Sequence, residues 1–397
     1  MTTHCRSCNY AELRDVISLG EQPLANALLA HHDAPEETYP LDVAYCPRCT
    51  LVQLRETVAP ELLFTGYPYR SSTSSTMVEH ARVLVEQLVE KYDMDQRHLV
   101  IEVGSNDGYL LQHYVEKNVP VIGYEPCRAL AKESKQRGIY THNRYFDYLS
   151  SYGDPKADVI HVHNVLAHVP DINTFVWCLA DKLEPDGVIV VEVPHLHSMI
   201  DNCAWDTIYH EHVFYFDSTS LDILLRRHGL YIADAEMFHD LHGGTVRATL
   251  AHGDIVADTI WPHEPPYAGD SDEYFATFAV SVENHRAAIL QHLEGLKRLG
   301  ASIAAYGAAA KGAMLLNYCG LGAETIDFVV DKNTHKHFRY MPGSRLEILP
   351  VDELLIRQPD YVLLLAWNFE AEILAECDEY RVRGGRFVVP ERVPRVA

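Results

Sequence analysis

The chain has 397 residues, 47% hydrophobic and 22% charged, enough for about two or three domains with buried cores. Its 33 Lys and Arg against 56 Asp and Glu give a net charge of −23, which argues against unfocused binding to nucleic acid or an anionic membrane. No run of about 18 apolar residues reads as a membrane span. The first residues lack the basic-then-apolar pattern of a secretory signal, and the nine cysteines are an odd number, so a reducing, cytoplasmic setting is expected.

Two knuckles come first. Cys5-x-x-Cys8 and Cys46-x-x-Cys49 are separated by 37 residues. Two such turns can point four thiolates at one tetrahedral zinc, and an all-cysteine set leaves no open catalytic position. A strand is expected just before Cys46, over residues 41–45. The stretch from Phe64 to Thr76 carries Tyr67, Tyr69 and a run of Ser and Thr. It reads either as a solvated linker with helix caps or as a loop offering phenols and hydroxyls to a site. Residues 78–92 then show helical apolar spacing.

His98-Leu-Val-Ile-Glu102-Val-Gly104-Ser-Asn106-Asp107-Gly108 reads as strand, tight turn and helix start, the first βα unit of a doubly wound fold. A second strand ends at Glu125-Pro126, 21 residues after Gly104, where a carboxylate can accept from both ribose hydroxyls. The turn lacks G-x-G-x-x-G, and Asn106 and Asp107 are poor neighbours for a phosphate. S-adenosylmethionine is therefore preferred to NAD or FAD. Residues 158–164 make the fourth strand, with Asn164 and His168 at its ligand-facing end. A helix and a turn at Pro185-Asp-Gly187 lead into a fifth strand over 188–194. Tyr209-His210-Glu211-His212 follows. Its histidines are two apart, so it is not the His-Glu-x-x-His zinc motif; on a strand both would share one face, with Glu211 opposite.

Residues 229–251 alternate in strand fashion, the proline-rich residues 262–266 mark a boundary, and a long amphipathic helix is expected over 274–299. A second βαβ unit begins at Tyr306-Gly307, passes Lys311-Gly312 into a helix over 313–318, and reaches a strand ending at Asp331-Lys332. Lys311 at a helix N-terminus, with Lys332, Lys336 and Arg339, is a candidate site for a small polyanion in an otherwise acidic chain. Further strands are expected over 361–366, followed by Trp367-Asn368, and over 387–390.

These motifs, with Asn164-x-x-x-His168-x-Pro170, Gly243-Gly244 and Asn317-Tyr-Cys-Gly320, resemble the sugar-nucleotide C-methyltransferases of branched-chain deoxysugar biosynthesis. The resemblance covers essentially the whole chain and departs at Ala309, where the family's loop carries proline. It implies an α/β protein in three parts: a small zinc-binding domain (residues 1–70), a class I Rossmann-like methyltransferase domain (71–255) and a second Rossmann-like domain that binds nucleotide sugar (256–397). The implied substrate is a dTDP- or GDP-linked 4-keto-6-deoxy sugar. The ketone is flanked by C3 and C5, and C3 is preferred as the methylated carbon. The resemblance makes His212 the base, with Tyr209, Glu211, His168 and Tyr69 orienting the sugar or stabilising the enolate. It assigns Glu102, Gly104, Asn106, Asp107, Gly108, Glu125, Pro126 and Asn164 to S-adenosylmethionine. It assigns Lys311 to the diphosphate and Asp331 and Lys332 to the nucleoside, with Asn317, Arg339, Trp367 and Asn368 completing the substrate site. A monomer with no nucleic-acid or membrane partner is expected. A nicotinamide-dependent oxidoreductase built on residues 303–331 and a non-enzymatic, zinc-scaffolded binding protein are the alternatives.

Overall fold

The structure, a computed structural model, describes residues 3–64, 66–67, 69–239, 243–253, 271–391 and 393–397. The expected boundary at 262–266 lies outside them. Three sheets organise the described residues. In the first, β1 (Arg14–Pro23), β2 (Thr38–Tyr45) and β3 (Val52–Leu54) form an antiparallel meander. The buried side chains Leu41, Val43 and Tyr45 of β2 alternate, as a half-buried strand requires. β1 was not legible in the sequence, because register shifts at Asp15/Ile17 and Ser18/Glu21 break its alternation.

The middle of the chain supplies β4 (Val100–Val103), β5 (Val121–Tyr124), β6 (Tyr140–His142), β7 (Ala157–His163) and β8 (Leu183–Pro194), all parallel. β4 is buried throughout, as are β7 apart from Asp158 and residues 187–193 of β8, so these stretches are mostly apolar. The turn expected at Pro185-Asp-Gly187 is not a separate turn. The chain passes from the helix Ile172–Lys182 straight into β8, and the extra residues are absorbed as an irregularity opposite Ala157 and Val159. A short β9 (Phe214–Tyr215) leaves this sheet and pairs antiparallel with β3. β10 (Leu230–Phe238) and β11 (Thr245–His252) return as an antiparallel hairpin, giving the order β10-β11-β8-β7-β4-β5-β6.

The helix Ser271–Arg298 leads to the third sheet. It comprises β12 (Ile303–Tyr306), β13 (Val329–Val330), β14 (Ile348–Leu349), β15 (Tyr361–Leu364), β16 (Arg386–Val389) and an antiparallel β17 (Arg395–Val396), ordered β14-β13-β12-β15-β16-β17. The helix after β12 starts at Ala310, three residues earlier than its apolar spacing suggests, and closes on Gly320 at φ 66°.

Both larger sheets are doubly wound, and each reverses direction beside its first strand, between β4 and β7 and between β12 and β15. Ligands bind at such switch points in open α/β sheets. A glycine marks each one. Gly104 has φ +68° and an added Cβ would lie 2.5 Å from Val165 Cγ2; Gly307 has φ +102° and an added Cβ would lie 2.7 Å from Ala366 Cβ. The apolar cores tie the three sheets together. Cys5, Cys46 and Cys49 pack in one cluster with Val213, Phe214 and Leu221. The β1–β2 face packs with the helix Ser271–Arg298, where Tyr45 meets Phe275 at 4.7 Å between ring centroids.

Candidate active site

The zinc site is built by two tight turns. Cys5 Sγ lies 3.6 Å from Cys49 Sγ and Cys8 Sγ lies 3.5 Å from Cys46 Sγ, with the four sulfurs within 4.8 Å of one another. Zinc–sulfur bonds of about 2.3 Å at tetrahedral angles put sulfurs about 3.8 Å apart, so this set fits the ion. The thiols are buried to different degrees. The Cys49 thiol beside it pulls Cys5 down to about 5, while burial pushes Cys46 up to about 11. A divalent ion removes that conflict by favouring all four thiolates.

The two glycine-marked switch points open into one cavity of about 710 Å³. Gly104, Asn106, Glu125, Pro126 and Asn164 line it from the β4–β5–β7 edge. Asn106 (φ 50°) and Asn164 (φ 53°) both take left-handed turns that asparagine tolerates. The Asn106 and Cys127 amides donate to Glu125 at 3.0 and 2.7 Å. Burial pushes that carboxyl up to about 7, against the pull of these two bonds. Each carboxylate oxygen retains a second acceptor site, so Glu125 can still accept from ribose hydroxyls. The bare backbone at Gly104 lets the strand end pack against Val165, where a side chain would clash.

Three of the residues expected at the cofactor do not line the cavity. Glu102 is 1% exposed inside β4, and burial, with Asp107 and Glu125 nearby, holds its carboxyl well above the usual range. Asp107 turns away, accepting from the Ser72 hydroxyl and from Arg137. Gly108 packs under the turn, where an added Cβ would lie 2.5 Å from Ile139 Cδ1. These residues shape the turn from behind.

Tyr209-His210-Glu211-His212 is a turn, not a strand, closed by the His212 amide donating to the Tyr209 carbonyl at 2.9 Å. The two histidines therefore part company. His210 bonds the Tyr39 carbonyl of β2 at 3.2 Å. His212 faces the cavity with Nδ1 2.8 Å from the Thr207 carbonyl and Nε2 2.9 Å from the Tyr209 hydroxyl. A carbonyl only accepts, so Nδ1 carries the proton and neutral His212 presents its lone pair at Nε2. Burial, with Glu211 beside it, holds the Tyr209 phenol well above its usual range. His168 lies with its ring 4.9 Å from His212 and Nδ1 2.6 Å from the Glu211 carbonyl; burial lowers it to about 4, so it is neutral near pH 7. Tyr69 also lines the cavity, and burial pushes its phenol up to about 12.

The third sheet contributes Lys311, Asp331, Lys332, Lys336 and Asn368 to the same cavity. Its cations are not a bare basic face. Lys332 bonds Glu372 at 2.5 Å and Glu376 at 3.2 Å, and Lys336 bonds the Ala308 carbonyl at 2.8 Å and Asp331 at 3.3 Å. Lys336 is buried and its charge is paired with Asp331, which offsets the cost of desolvation. Lys311 Nζ sits 4.1 Å from the Trp367 ring centroid, and burial lowers its pKa. Three expected substrate contacts fall elsewhere. Arg339 is exposed and off the cavity. The Asn317 amide donates to the Pro342 carbonyl at 3.2 Å, bracing a turn. Trp367 lies behind the cavity wall, its indole donating to Asp206 at 2.7 Å.

Other lining residues escaped the sequence reading. Asn26 donates through Nδ2 to Glu211 Oε1 at 2.7 Å, and His163 reaches the cavity from β7. A lone asparagine inside the apolar run Pro23-Leu-Ala-Asn26-Ala-Leu-Leu29 is the one sequence signal that could have marked the first, and the sequence reading passed over it.

Fold and site together define an S-adenosylmethionine-dependent methyltransferase with a zinc-binding N-terminal segment. Family models described as a zinc binding domain, a methyltransferase domain and a C-methyltransferase C-terminal domain match residues 5–64, 77–235 and 240–394. The C-methyltransferase NovU of Streptomyces niveus is 36% identical over 99% of this chain and 96% of its own. The chain belongs to the C-methyltransferase family. Solved structures overlap more loosely. An S-adenosylmethionine-dependent methyltransferase from Clostridium acetobutylicum is 8% identical, with 45% of this chain and 92% of that one covered at a TM-score of 0.37. The magnesium protoporphyrin IX methyltransferase of Synechocystis with bound SAH is 13% identical, with 44% and 83% covered, also at 0.37. Among the described residues no helix is long and apolar enough to cross a membrane.

Proposed function

We propose that this C-methyltransferase methylates C3 of a nucleotide-linked 4-keto-6-deoxy sugar, with His212 as the base. The observation that carries the reading is one cavity lined by both switch-point glycines, Gly104 and Gly307, and by His212. A ketone acidifies its α C–H. His212 Nε2 takes that proton, and the bonding pair passes into the enolate. Bound S-adenosylmethionine supplies an electrophilic methyl group, so a C–C bond forms as the sulfonium C–S bond breaks. The Thr207 carbonyl stabilises the resulting imidazolium through Nδ1–H. The Tyr209 phenol, protonated at all working pH values, turns from Nε2 to donate to the enolate oxygen. His168 and Tyr69 wall the sugar site, and Glu211 stands behind the turn.

Gly307, Lys311, Asp331, Lys332 and Asn368, which line the same cavity, would take the nucleoside diphosphate, with the bare Gly307 packing the switch point against Ala366. The proposed division is residues 1–70 for zinc, 71–255 for the methyl donor and 256–397 for the nucleotide, with β9 of the second part completing the first sheet. Incubating dTDP- and GDP-linked 4-keto-6-deoxy sugars with the enzyme and S-adenosylmethionine, followed by mass spectrometry, tests this. A gain of one methyl group, with deuterium wash-in at C3 in heavy water, is expected. Wash-in at C5 alone would move the chemistry to the other flank, and no methylated keto sugar would end the proposal.

A further inference from the structure

We propose that Asn26, from the zinc-bearing N-terminal segment, is a positioning residue that holds the Glu211 carboxylate in place behind the His212 turn. This rests on the reading of His212 as base. Glu211 is 2% exposed, and its side chain does not line the cavity. Its Oε1 takes the 2.7 Å bond from Asn26 Nδ2, and an amide N–H given to a carboxylate favours the charged form. Burial pushes Glu211 up to about 7; Asn26 first, then the Tyr67 hydroxyl, pull it back. The titratable groups facing it are Tyr67 and Tyr209, whose phenols are pushed up by burial and, next, by the Glu211 charge; His168 meets its backbone carbonyl and His212 adjoins it in the turn. A negative charge at this position favours the imidazolium that forms on His212 during proton abstraction.

Asn26 is itself pinned from two sides. The preceding strand ends at Pro23, paired with Thr38 of β2. Three residues on, Leu29 exchanges two backbone bonds of 2.9 Å with Tyr340 of the third sheet's segment. The His212 turn is held by the same N-terminal sheet, through the β3–β9 pairing and the Leu54 amide donating to the Val213 carbonyl at 2.9 Å. Donor and acceptor of the Asn26–Glu211 bond thus share one frame, and the zinc knuckles close that frame just before β3.

The test is Asn26→Ala and Asn26→Asp. Removing the donor raises the Glu211 pKa, so the acid limb of kcat/KM moves up by about one pH unit in Asn26→Ala. It moves further in Asn26→Asp, where two carboxyls share the space and one must keep its proton. Zinc content and S-adenosylhomocysteine affinity stay within about twofold of wild type. Infrared titration reads Glu211 without turnover: its protonated-carboxyl band, assigned by its loss in Glu211→Gln, persists to higher pH in both variants. An unmoved acid limb and an unmoved band in both variants would overturn the proposal, as would a uniform loss of rate with no pH shift, the signature of packing alone. A band that moves in protein that methylates no keto sugar would support the hold on Glu211 while ending the assigned function.

Discussion

Replacing His212 with alanine tests the centre of the mechanism. The side chain's two ring nitrogens meet the Thr207 carbonyl at 2.8 Å and the Tyr209 hydroxyl at 2.9 Å. Losing two such bonds costs about 1–3 kcal/mol of stability, so the fold should persist. Removing a general base costs about 10²–10⁴-fold in rate, or about 3–5 kcal/mol of barrier. The two effects separate cleanly. Isothermal titration with S-adenosylhomocysteine should be nearly unchanged, because Gly104, Asn106 and Glu125 are untouched. The methyl-transfer rate should fall by at least about a hundredfold, and deuterium wash-in at the substrate carbon should fall with it. Added imidazole should restore part of both. Turnover within tenfold of wild type, or wild-type exchange with no turnover, would refute the assignment of His212 as the base.

The two switch-point glycines should separate the ligands. Gly104→Ala places a methyl group 2.5 Å from Val165 and should weaken S-adenosylhomocysteine by about tenfold or more, whereas Gly307→Ala, 2.7 Å from Ala366, should weaken the nucleotide alone; calorimetry showing the same loss of both ligands in each variant would count against two separate edges. Metal analysis should return one zinc per chain, and stripping it should abolish turnover by loosening β3 and its β9 partner; full activity without metal would contradict that link. Glu192 is fully buried and binds His80 at 2.8 Å, His163 at 3.0 Å and Arg247 at 2.7 Å. Glu192→Gln should lower stability by about 3 kcal/mol in denaturant titration, because Arg247 is left without its buried counter-charge; a loss under about 1 kcal/mol would show the network is dispensable.

Some features could be read because neighbouring residues alone encode them. The CxxC turns fix sulfur pairs within four residues, and the mostly apolar runs of β4, β7 and β8 announce buried parallel strands. The turn after β4 and the acid at Glu125 are set by one βα unit and the strand that follows it. Other features depended on contacts between residues far apart in the chain, and no local pattern carries those. The bond from Asn26 to Glu211 spans 185 positions. β9 is two residues long, too short to show alternation, and exists only because β3 offers it an edge. Lys332 and Lys336 read as open cations until folding brings Glu372, Glu376 and Asp331 to them. The sequence by itself determined the zinc ligands, the two βαβ units and the chemical types available to the site. Only the tertiary structure decided that Tyr209–His212 is a turn aimed into a shared cavity and that Asn317, Arg339 and Trp367 face elsewhere. Direction is a property of packing: His212 is aimed by Thr207 and Tyr209 within its own turn, but the partners that hold Glu211 and Trp367 lie far along the chain, at Asn26 and Asp206.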